Sequence, residues 1–99
     1  MVKRKTNFEW DKYNTIKNWA KHHVRPFEVE QSFVDKNAII LNDELHSKLE
    51  KRYIIIGRTR KNRILYIAFA IRNGHIRVIS ARDANKKEVN IYEKEVSNS

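Results

Sequence analysis

The stretch Arg63-Ile-Leu-Tyr-Ile-Ala-Phe-Ala-Ile-Arg72, followed by Asn73-Gly74 and then by His75-Ile-Arg-Val-Ile-Ser-Ala81, decides the fold of this chain of 99 residues. Two runs rich in β-branched and aromatic residues flank a pair of residues whose backbone tolerates the positive φ angles of a type I′ turn. The stretch therefore predicts a β-hairpin that reverses at Asn73-Gly74.

The turn fixes the register of the hairpin, and this register places an arginine on an otherwise apolar sheet face. The predicted pairs are Ile71 with Ile76 and Phe69 with Val78 on one side, and Ala70 with Arg77 and Ala68 with Ile79 on the other. Arg77 then stands over small side chains, with Tyr66 further along the same face. A guanidinium group in that position indicates a concave anion site. The structural alternative is that Arg77 lies at the sheet rim and pairs with a carboxylate.

Two helices are expected before the sheet. The first covers residues 12–23, with Asp11 as its N-cap, and the second runs from Pro26 to about Asp35. Helical spacing predicts that one face of the first helix is apolar. The positions on this face are Ile16, Trp19, Ala20 and His23.

The rest of the chain predicts two more strands, at Ala38–Leu41 and Arg52–Gly57, and a final helix over Asp83–Val96. Phe8–Trp10 is a candidate for an additional edge strand. The expected fold class is α+β, with two N-terminal helices, a four-stranded, mostly antiparallel sheet and a C-terminal helix. We expect one domain over residues 1–99, with 1–6 and 96–99 frayed.

The charge balance indicates the kind of partner. Twenty-one Lys and Arg against twelve Asp and Glu give a net charge of +9, which attracts a polyanion such as RNA or an acidic protein. The chain contains no cysteine, so neither a disulfide framework nor a thiolate zinc site is expected. No apolar run approaches the roughly 18 residues of a membrane span, and Met1–Asn7 is basic without a following apolar stretch. We therefore expect a cytoplasmic protein that does not bind membranes.

Several chemistries are disfavoured by the residues present. Of the four histidines, His22 and His23 are adjacent and diverge by about 100° on a helix, so a shared metal ion is not expected. Only Gly57 and Gly74 are available for a phosphate-binding loop, so a nucleotide cofactor is not expected either. The remaining set suits cleavage of an RNA phosphodiester without a metal ion, which needs proton transfer and fixed cations.

The candidate residues for that chemistry fall into two groups. Candidates for proton transfer are His22, Glu50 and His46, and candidates for charge stabilisation are Lys21, Arg52, Arg77 and Arg82. Substrate contacts are further expected from Tyr66, Tyr92, Arg58 and Arg63, the last two belonging to a run over 51–63 with six bases and no acid. Structural alternatives exist for most of them. His22 would cap its helix, Glu50 would pair with Arg52, Arg82 would pair with Asp83 or Glu88, and Tyr92 would be core.

Taken together, the residues match a family pattern over positions 8–93. The pattern consists of Phe8-Glu9-Trp10-Asp11, Asn18, Lys21-His22, Phe27-Glu28, Phe33-Val34-Asp35, Glu50-Lys51-Arg52-Tyr53, Ile56-Gly57, Ile76-Arg77-Val78-Ile79-Ser80-Ala81-Arg82, Glu88 and Tyr92-Glu93. It closely resembles the BrnT family of toxins from bacterial type II toxin–antitoxin systems. The opening block and the block around Arg77 are specific only in combination.

The resemblance implies a RelE-like fold, RNA cleavage that inhibits translation and growth, and neutralisation by a BrnA-like antitoxin. Such an antitoxin carries a ribbon-helix-helix module, through which the complex binds operator DNA. The family usually has glycine where this chain has His23, so a histidine must adopt the left-handed conformation there or the helix must end differently. The alternative function is a toxin without catalysis, either a gyrase inhibitor of the ParE type or a corepressor.

The nuclease hypothesis makes a geometric demand. Arginines distant in the sequence must converge on one pocket, and they must not each be held by an acidic neighbour of their own.

Overall fold

The computed structural model describes residues 7–46 and 49–98. The helices are α1 (Lys12–His22), α2 (Pro26–Phe33) and α3 (Lys86–Ser97), with a short 3-10 helix at Glu44–His46. The strands are β1 (Phe8–Glu9), β2 (Ile39–Asn42), β3 (Arg52–Arg58), β4 (Ile64–Arg72) and β5 (His75–Asp83). Among the described residues, no helix is long and apolar enough to cross a membrane.

The strands form one sheet in the order β1-β5-β4-β3-β2. All neighbours are antiparallel except β1, which runs parallel to β5. The α+β class and the mostly antiparallel sheet are confirmed. The sheet has five strands instead of four, because the candidate edge strand is confirmed: Phe8 and Glu9 pair with Ile76 and Arg77.

The hairpin turn is confirmed, with positive φ at both Asn73 and Gly74. The first three predicted pairs are also confirmed, but Ala68 faces Ser80 instead of Ile79. The register shifts by one residue between Ala68 and Phe69, so Ile79 has no partner on β4 and forms a β-bulge. A pattern of alternating side chains cannot reveal a bulge, because the inserted residue is itself a good strand former.

The sheet is covered by helices on both faces. On one face, α1 and α2 bury a core that includes Val29, Phe33, Ile55, Leu65, Ile67, Phe69 and Val78. On the other face, Tyr92 and Val96 of α3 pack over Ile54, Ile56 and their neighbours on β4. The three isoleucines at 54–56 are all buried, as their apolar run predicts for a central strand with covered faces.

The apolar face of α1 points away from the sheet. Ile16 and Trp19 are exposed, whereas the buried residue of this helix is Asn18. The side-chain oxygen of Asn18 accepts a hydrogen bond from the backbone N–H of Ala81 at 3.2 Å. Because β1 pairs with only two residues of β5, this amide would otherwise be an unpaired donor at a buried strand edge. The polar residue therefore faces the sheet to satisfy it.

The ends of the helices follow their capping residues. The Asp11 carboxylate accepts hydrogen bonds from the amides of Tyr13 and Asn14, as predicted for an N-cap. His23 ends α1 in the left-handed conformation with φ 54 and ψ 41. It thus takes the role that glycine usually fills.

The predicted start of the last helix is wrong. The helix begins at Lys86, after a capping box of Asn85 and Glu88, because the ladder with β4 continues as far as Asp83. It ends at Ser97, one residue beyond the predicted end. The expected fraying of 96–98 stays a prediction, and residues 1–6 and Ser99 lie outside the described residues.

A glycine allows α2 to approach the sheet closely. A Cβ atom built on Gly57 would lie 2.4 Å from the backbone oxygen of Ser32. The Ser32 hydroxyl donates a hydrogen bond to the Gly57 carbonyl at 3.1 Å. This contact fixes the end of α2 against β3 and leaves no room for a side chain.

Candidate functional site

The sheet face beside α3 carries several of the predicted site residues. Because residues paired directly across an antiparallel ladder share a face, the register places Arg52, Ala70 and Arg77 in one row, Ala68 and Ser80 in the next, and Tyr66 and Arg82 in a third. We call these seven residues the arginine face. Ile54 continues the row of Ala68, Ile56 continues the row of Tyr66, and Tyr92 of α3 packs over this part of the sheet. The concave anion site stays a prediction.

The bulge at Ile79 is what brings Arg82 onto this face. Arg77 and Arg82 are five residues apart, which in a regular strand would put them on opposite faces. The unpaired Ile79 restores the same orientation for both. Since Ala70 and Tyr66 are four residues apart on β4, the two arginine rows are separated by about 13 Å along the strands.

Arg77 is oriented by two carboxylates. Its Nη1 donates to Glu9 at 3.2 Å, and its Nη2 donates to Asp11 at 2.9 Å. Glu9 lies directly across from Arg77 in the parallel pair with β1. Asp11 uses its other oxygen to cap α1, so the N-terminus of this helix is tied to the arginine.

Arg82 is held by α3 and by an aromatic ring. Its Nη1 and Nη2 donate to the two oxygens of Glu88 at 2.8 and 2.9 Å, and its guanidinium lies 4.2 Å from the ring centre of Tyr66. Burial raises the pKa of the Glu88 carboxyl, but the hydrogen bonds from Arg82 and from the Asn85 amide outweigh it, so the net pKa is lowered. Burial and the charge of Glu88 raise the pKa of Tyr66, so its hydroxyl stays protonated near neutral pH.

The nuclease hypothesis required arginines without acidic partners, and this requirement is not met. Both Arg77 and Arg82 hold carboxylate partners, which matches the structural alternatives for both residues. The bonds within the described part of the chain use two of the five N–H donors of Arg77 and three of those of Arg82. Each arginine therefore retains donors for an anion while its carboxylate fixes its direction.

Arg63 differs from these two arginines in having no donor left. Its five N–H groups donate to the carbonyls of His22 and His23, to Glu28 and to both oxygens of Asp83. Hydrogen bonding to Asp83 is the main cause of its raised pKa. The predicted substrate contact does not fit this arrangement. Arg63 instead joins the end of α1 to the ends of two strands.

The two candidates for proton transfer lie at opposite ends of the strands. Glu50 accepts hydrogen bonds from Arg72 at 3.1 and 3.3 Å, beside the hairpin turn. The pairing with Arg52 considered above is therefore replaced by one with Arg72. The carbonyl of His22 is connected by Arg63 to Asp83, which pairs with the core residue Leu65, so the end of α1 contacts the side of the sheet opposite to Arg82. Arg72 and Tyr66, toward the two ends of β4, are about 20 Å apart along the strand.

The other predicted contacts are distributed around this face. Tyr92 is 1% exposed and donates a hydrogen bond from its hydroxyl to Asp35 at 2.5 Å, so it is core, as in its structural alternative. Burial and this bond raise the pKa of Tyr92. Arg58 lies 5.3 Å from the Tyr92 ring centre. Lys21 is exposed in the last turn of α1, and the side chain of His46 lies outside the described residues.

Sequence reasoning named one acidic partner and missed two. Glu88 was expected as a structural alternative partner of Arg82, whereas Glu9 and Asp11 were not identified as the carboxylates that orient Arg77. The spacing of Asn85 and Glu88 is a capping-box signal that could have placed the start of α3, and with it the Glu88 carboxylate. In the ranges 7–46 and 49–98, no group of three or more His, Cys, Asp or Glu side chains could hold a metal ion.

Comparison with known proteins gave a family match and a similarity in fold. A family model described as "Ribonuclease toxin, BrnT, of type II toxin-antitoxin system" matches residues 10–88. The fold is similar to the 1.1 Å crystal structure of the ribonuclease toxin BrnT from Brucella abortus, with 22% sequence identity and a TM-score of 0.62. That match covers 83% of this chain and 100% of the other. No curated protein matches the sequence.

Proposed function

The chain belongs to the BrnT family of ribonuclease toxins from type II toxin–antitoxin systems, and from this premise we propose that it is an endoribonuclease that cleaves RNA on the arginine face without a metal ion. The observation that carries the proposal is the placement of Arg77 and Arg82 on one face, with the row of Ile54, Ala68 and Ser80 between their rows. Two guanidinium groups on one face suit a phosphate group.

The proposed step is transesterification. The 2′-oxygen of a ribose attacks the adjacent phosphorus, the bond from phosphorus to the 5′-oxygen breaks, and the products are a 2′,3′-cyclic phosphate and a 5′-hydroxyl. One proton leaves the 2′-hydroxyl and one reaches the 5′-oxygen. The remaining donors of Arg77 and Arg82 would stabilise the extra negative charge on the phosphoryl oxygens. Arg52 and Lys21 would bind the flanking nucleotides, whereas the Tyr66 ring holds the Arg82 guanidinium.

Glu50 and His22 lie at opposite ends of the strands, so only one of them can serve a given phosphate. We assign proton transfer to His22, because an imidazole can both accept and donate a proton. Glu50 is engaged by Arg72 as a carboxylate. In this proposal Glu50 orients Arg72 near Arg77 and does not itself move a proton.

The contacts of the acidic side chains support cleavage without a metal ion. Glu9, Asp11 and Glu88 each bind an arginine. They therefore do not form the open carboxylate cluster that a two-metal nuclease requires.

The test is cleavage of end-labelled RNA by the purified chain in buffer with excess chelator, with analysis of the product ends. We expect cleavage to persist and to yield cyclic phosphate ends, and Arg77→Ala to be strongly impaired. Loss of cleavage in chelator, restored by a divalent cation, would overturn metal independence. Intact RNA together with growth arrest and DNA damage would instead favour a gyrase inhibitor.

Membership of this family implies an antitoxin partner. We propose that this partner is a BrnA-like protein with a ribbon-helix-helix module, and that the complex binds operator DNA through that module. The cytoplasm, where RNA is translated, is the proposed site of action. Co-expression with the antitoxin should restore growth, and a mobility shift of operator DNA should need both proteins.

A further inference from the structure

The outward face of α1 carries an apolar stripe that the chain itself does not cover. Tyr13, Ile16 and Ala20 follow one another at helical spacing, and Trp19 lies beside them. All four are exposed, with Tyr13 at 72% and Ile16 at 58%. Large apolar side chains grouped in this way are typical of interaction surfaces.

The stripe lies within a strongly basic segment. Residues 12–25 contain the four cations Lys12, Lys17, Lys21 and Arg25 and no acid. A partner that buries the apolar stripe must therefore bring negative charge beside it.

From this charge and apolar pattern we infer that the outward face of α1 docks an acidic, amphipathic segment of a partner protein. Resting on the proposed function, we identify that partner as the antitoxin. A second copy of this chain is disfavoured as occupant, because two such faces would bring like charges together.

The aromatic rings argue for a protein segment over RNA. Base stacking needs open ring faces, but the Arg25 guanidinium already lies 4.2 Å from the centre of the Trp19 ring. His23 packs edge-on against the same ring at 4.9 Å, and Lys17 lies 5.9 Å from the Tyr13 ring. The cations hold the rings as a preformed surface, which lowers the entropy lost when a partner binds.

The direct test measures binding of a synthetic helical peptide with leucine on one face and glutamate elsewhere. Ile16→Glu should weaken binding about tenfold or more, since it places a charge in the centre of the contact. Val34→Glu is the matched control, because Val34 is 57% exposed but lies at the far end of α2. It should change binding less than about threefold. Equal losses in both variants, or no loss in Ile16→Glu, would overturn the docking surface.

Two further measurements control for misfolded variants and for RNA binding. Hydrogen exchange of the wild-type chain should show protection over residues 12–25 on addition of the peptide, which does not depend on any variant folding. A short single-stranded RNA is the competing probe. If Ile16→Glu lost RNA binding and kept peptide binding, the outward face of α1 would be an RNA-binding surface and the inference would fail.

The identity of the partner is tested by co-expression. Ile16→Glu should escape neutralisation by the antitoxin, whereas Val34→Glu should still be neutralised. Normal neutralisation of Ile16→Glu would overturn the antitoxin as the occupant. Failure of the proposed nuclease function is distinguishable, because it appears as intact RNA and leaves the peptide measurement unchanged.

Discussion

Arg77 and Arg82 point to the same side of the sheet because one residue between them, Ile79, is bulged out of the ladder. The bulge reverses the alternation of side chains after Ile79. It leaves Ile76, Val78 and Ala81 facing the core. The same insertion thus preserves the core on one face and assembles the arginines on the other.

The first prediction concerns these two arginines. Arg77→Ala and Arg82→Ala should each lower the single-turnover rate of RNA cleavage by roughly 10² or more, because each removes a donor aimed at the developing charge. Arg60→Ala is the matched control, since Arg60 is exposed on the turn after β3 and contributes only to the general field. It should retain the rate within about threefold. Similar losses in all three variants would show a purely electrostatic effect of net charge.

The second prediction distinguishes His22 from Glu50 as the side chain that transfers protons. His22→Gln should lower the single-turnover rate by about 10², because proton transfer is lost while the helix end keeps its backbone bonds to Arg63. Glu50→Gln should lower it by less than about tenfold, because only the orientation of Arg72 changes. The reverse order would assign the proton transfer to Glu50 and move the scissile phosphate toward the hairpin.

The third prediction tests the structural assignment of Arg63. Arg63→Ala should lower the free energy of unfolding by about 2 kcal/mol, since it leaves Glu28, Asp83 and two backbone carbonyls without their donor. The guanidinium is 23% exposed, so the loss is smaller than for a fully buried pair. Urea denaturation measures it, with Arg60→Ala expected within about 0.5 kcal/mol of wild type. An unchanged midpoint for Arg63→Ala would contradict the assignment.

Local signals predicted most of the fold, and long-range pairing accounts for what they missed. The Asn73-Gly74 turn and the Asp11 cap depend on neighbouring residues, so both could be predicted from the sequence. The direction of the apolar face of α1 could not be predicted, because helical periodicity shows which residues share a face but not which way that face points. That direction depends on Asn18 meeting the edge of β5, a contact between residues 63 positions apart.

The candidate site could be predicted in part: Glu88 was named as an alternative partner of Arg82, but the two carboxylates that hold Arg77 were not. Arg77 and Arg82 were named from the hairpin and from the resemblance, and both lie on the arginine face. Arg63 could not be distinguished from them, because a basic run in the sequence does not show how many of its donors the fold consumes. Five acceptors from α1, α2 and β5 converge on it only after folding.

The fourth prediction concerns the close approach of α2 to β3. Gly57→Ala should lower the free energy of unfolding by about 2–3 kcal/mol, because the new methyl group would collide with the backbone of Ser32. Gly74→Ala is the comparison, since nothing lies within 4 Å of its Cβ position and only its φ of 76 is unfavourable. It should cost about 1 kcal/mol. If Gly57→Ala were as mild as Gly74→Ala in urea denaturation, the close contact would be disproved.

The fifth prediction is a pH dependence set by Glu88. Its pKa is lowered below the ordinary value of 4.5 by the hydrogen bonds from Arg82 and Asn85, which outweigh the opposing effect of burial. A carboxyl whose pKa is lower in the folded state stabilises the fold at pH values above its unfolded pKa. That stabilisation is lost as the pH falls through the folded value. The free energy of unfolding should therefore fall as the pH drops below about 4.5, and it should fall less in Glu88→Gln.

Glu93→Gln, an exposed position on the same helix, should keep the wild-type slope. Urea denaturation between neutral pH and about pH 3.5 measures all three chains, and an identical slope for Glu88→Gln and wild type would show that the Arg82–Glu88 pair does not stabilise the fold.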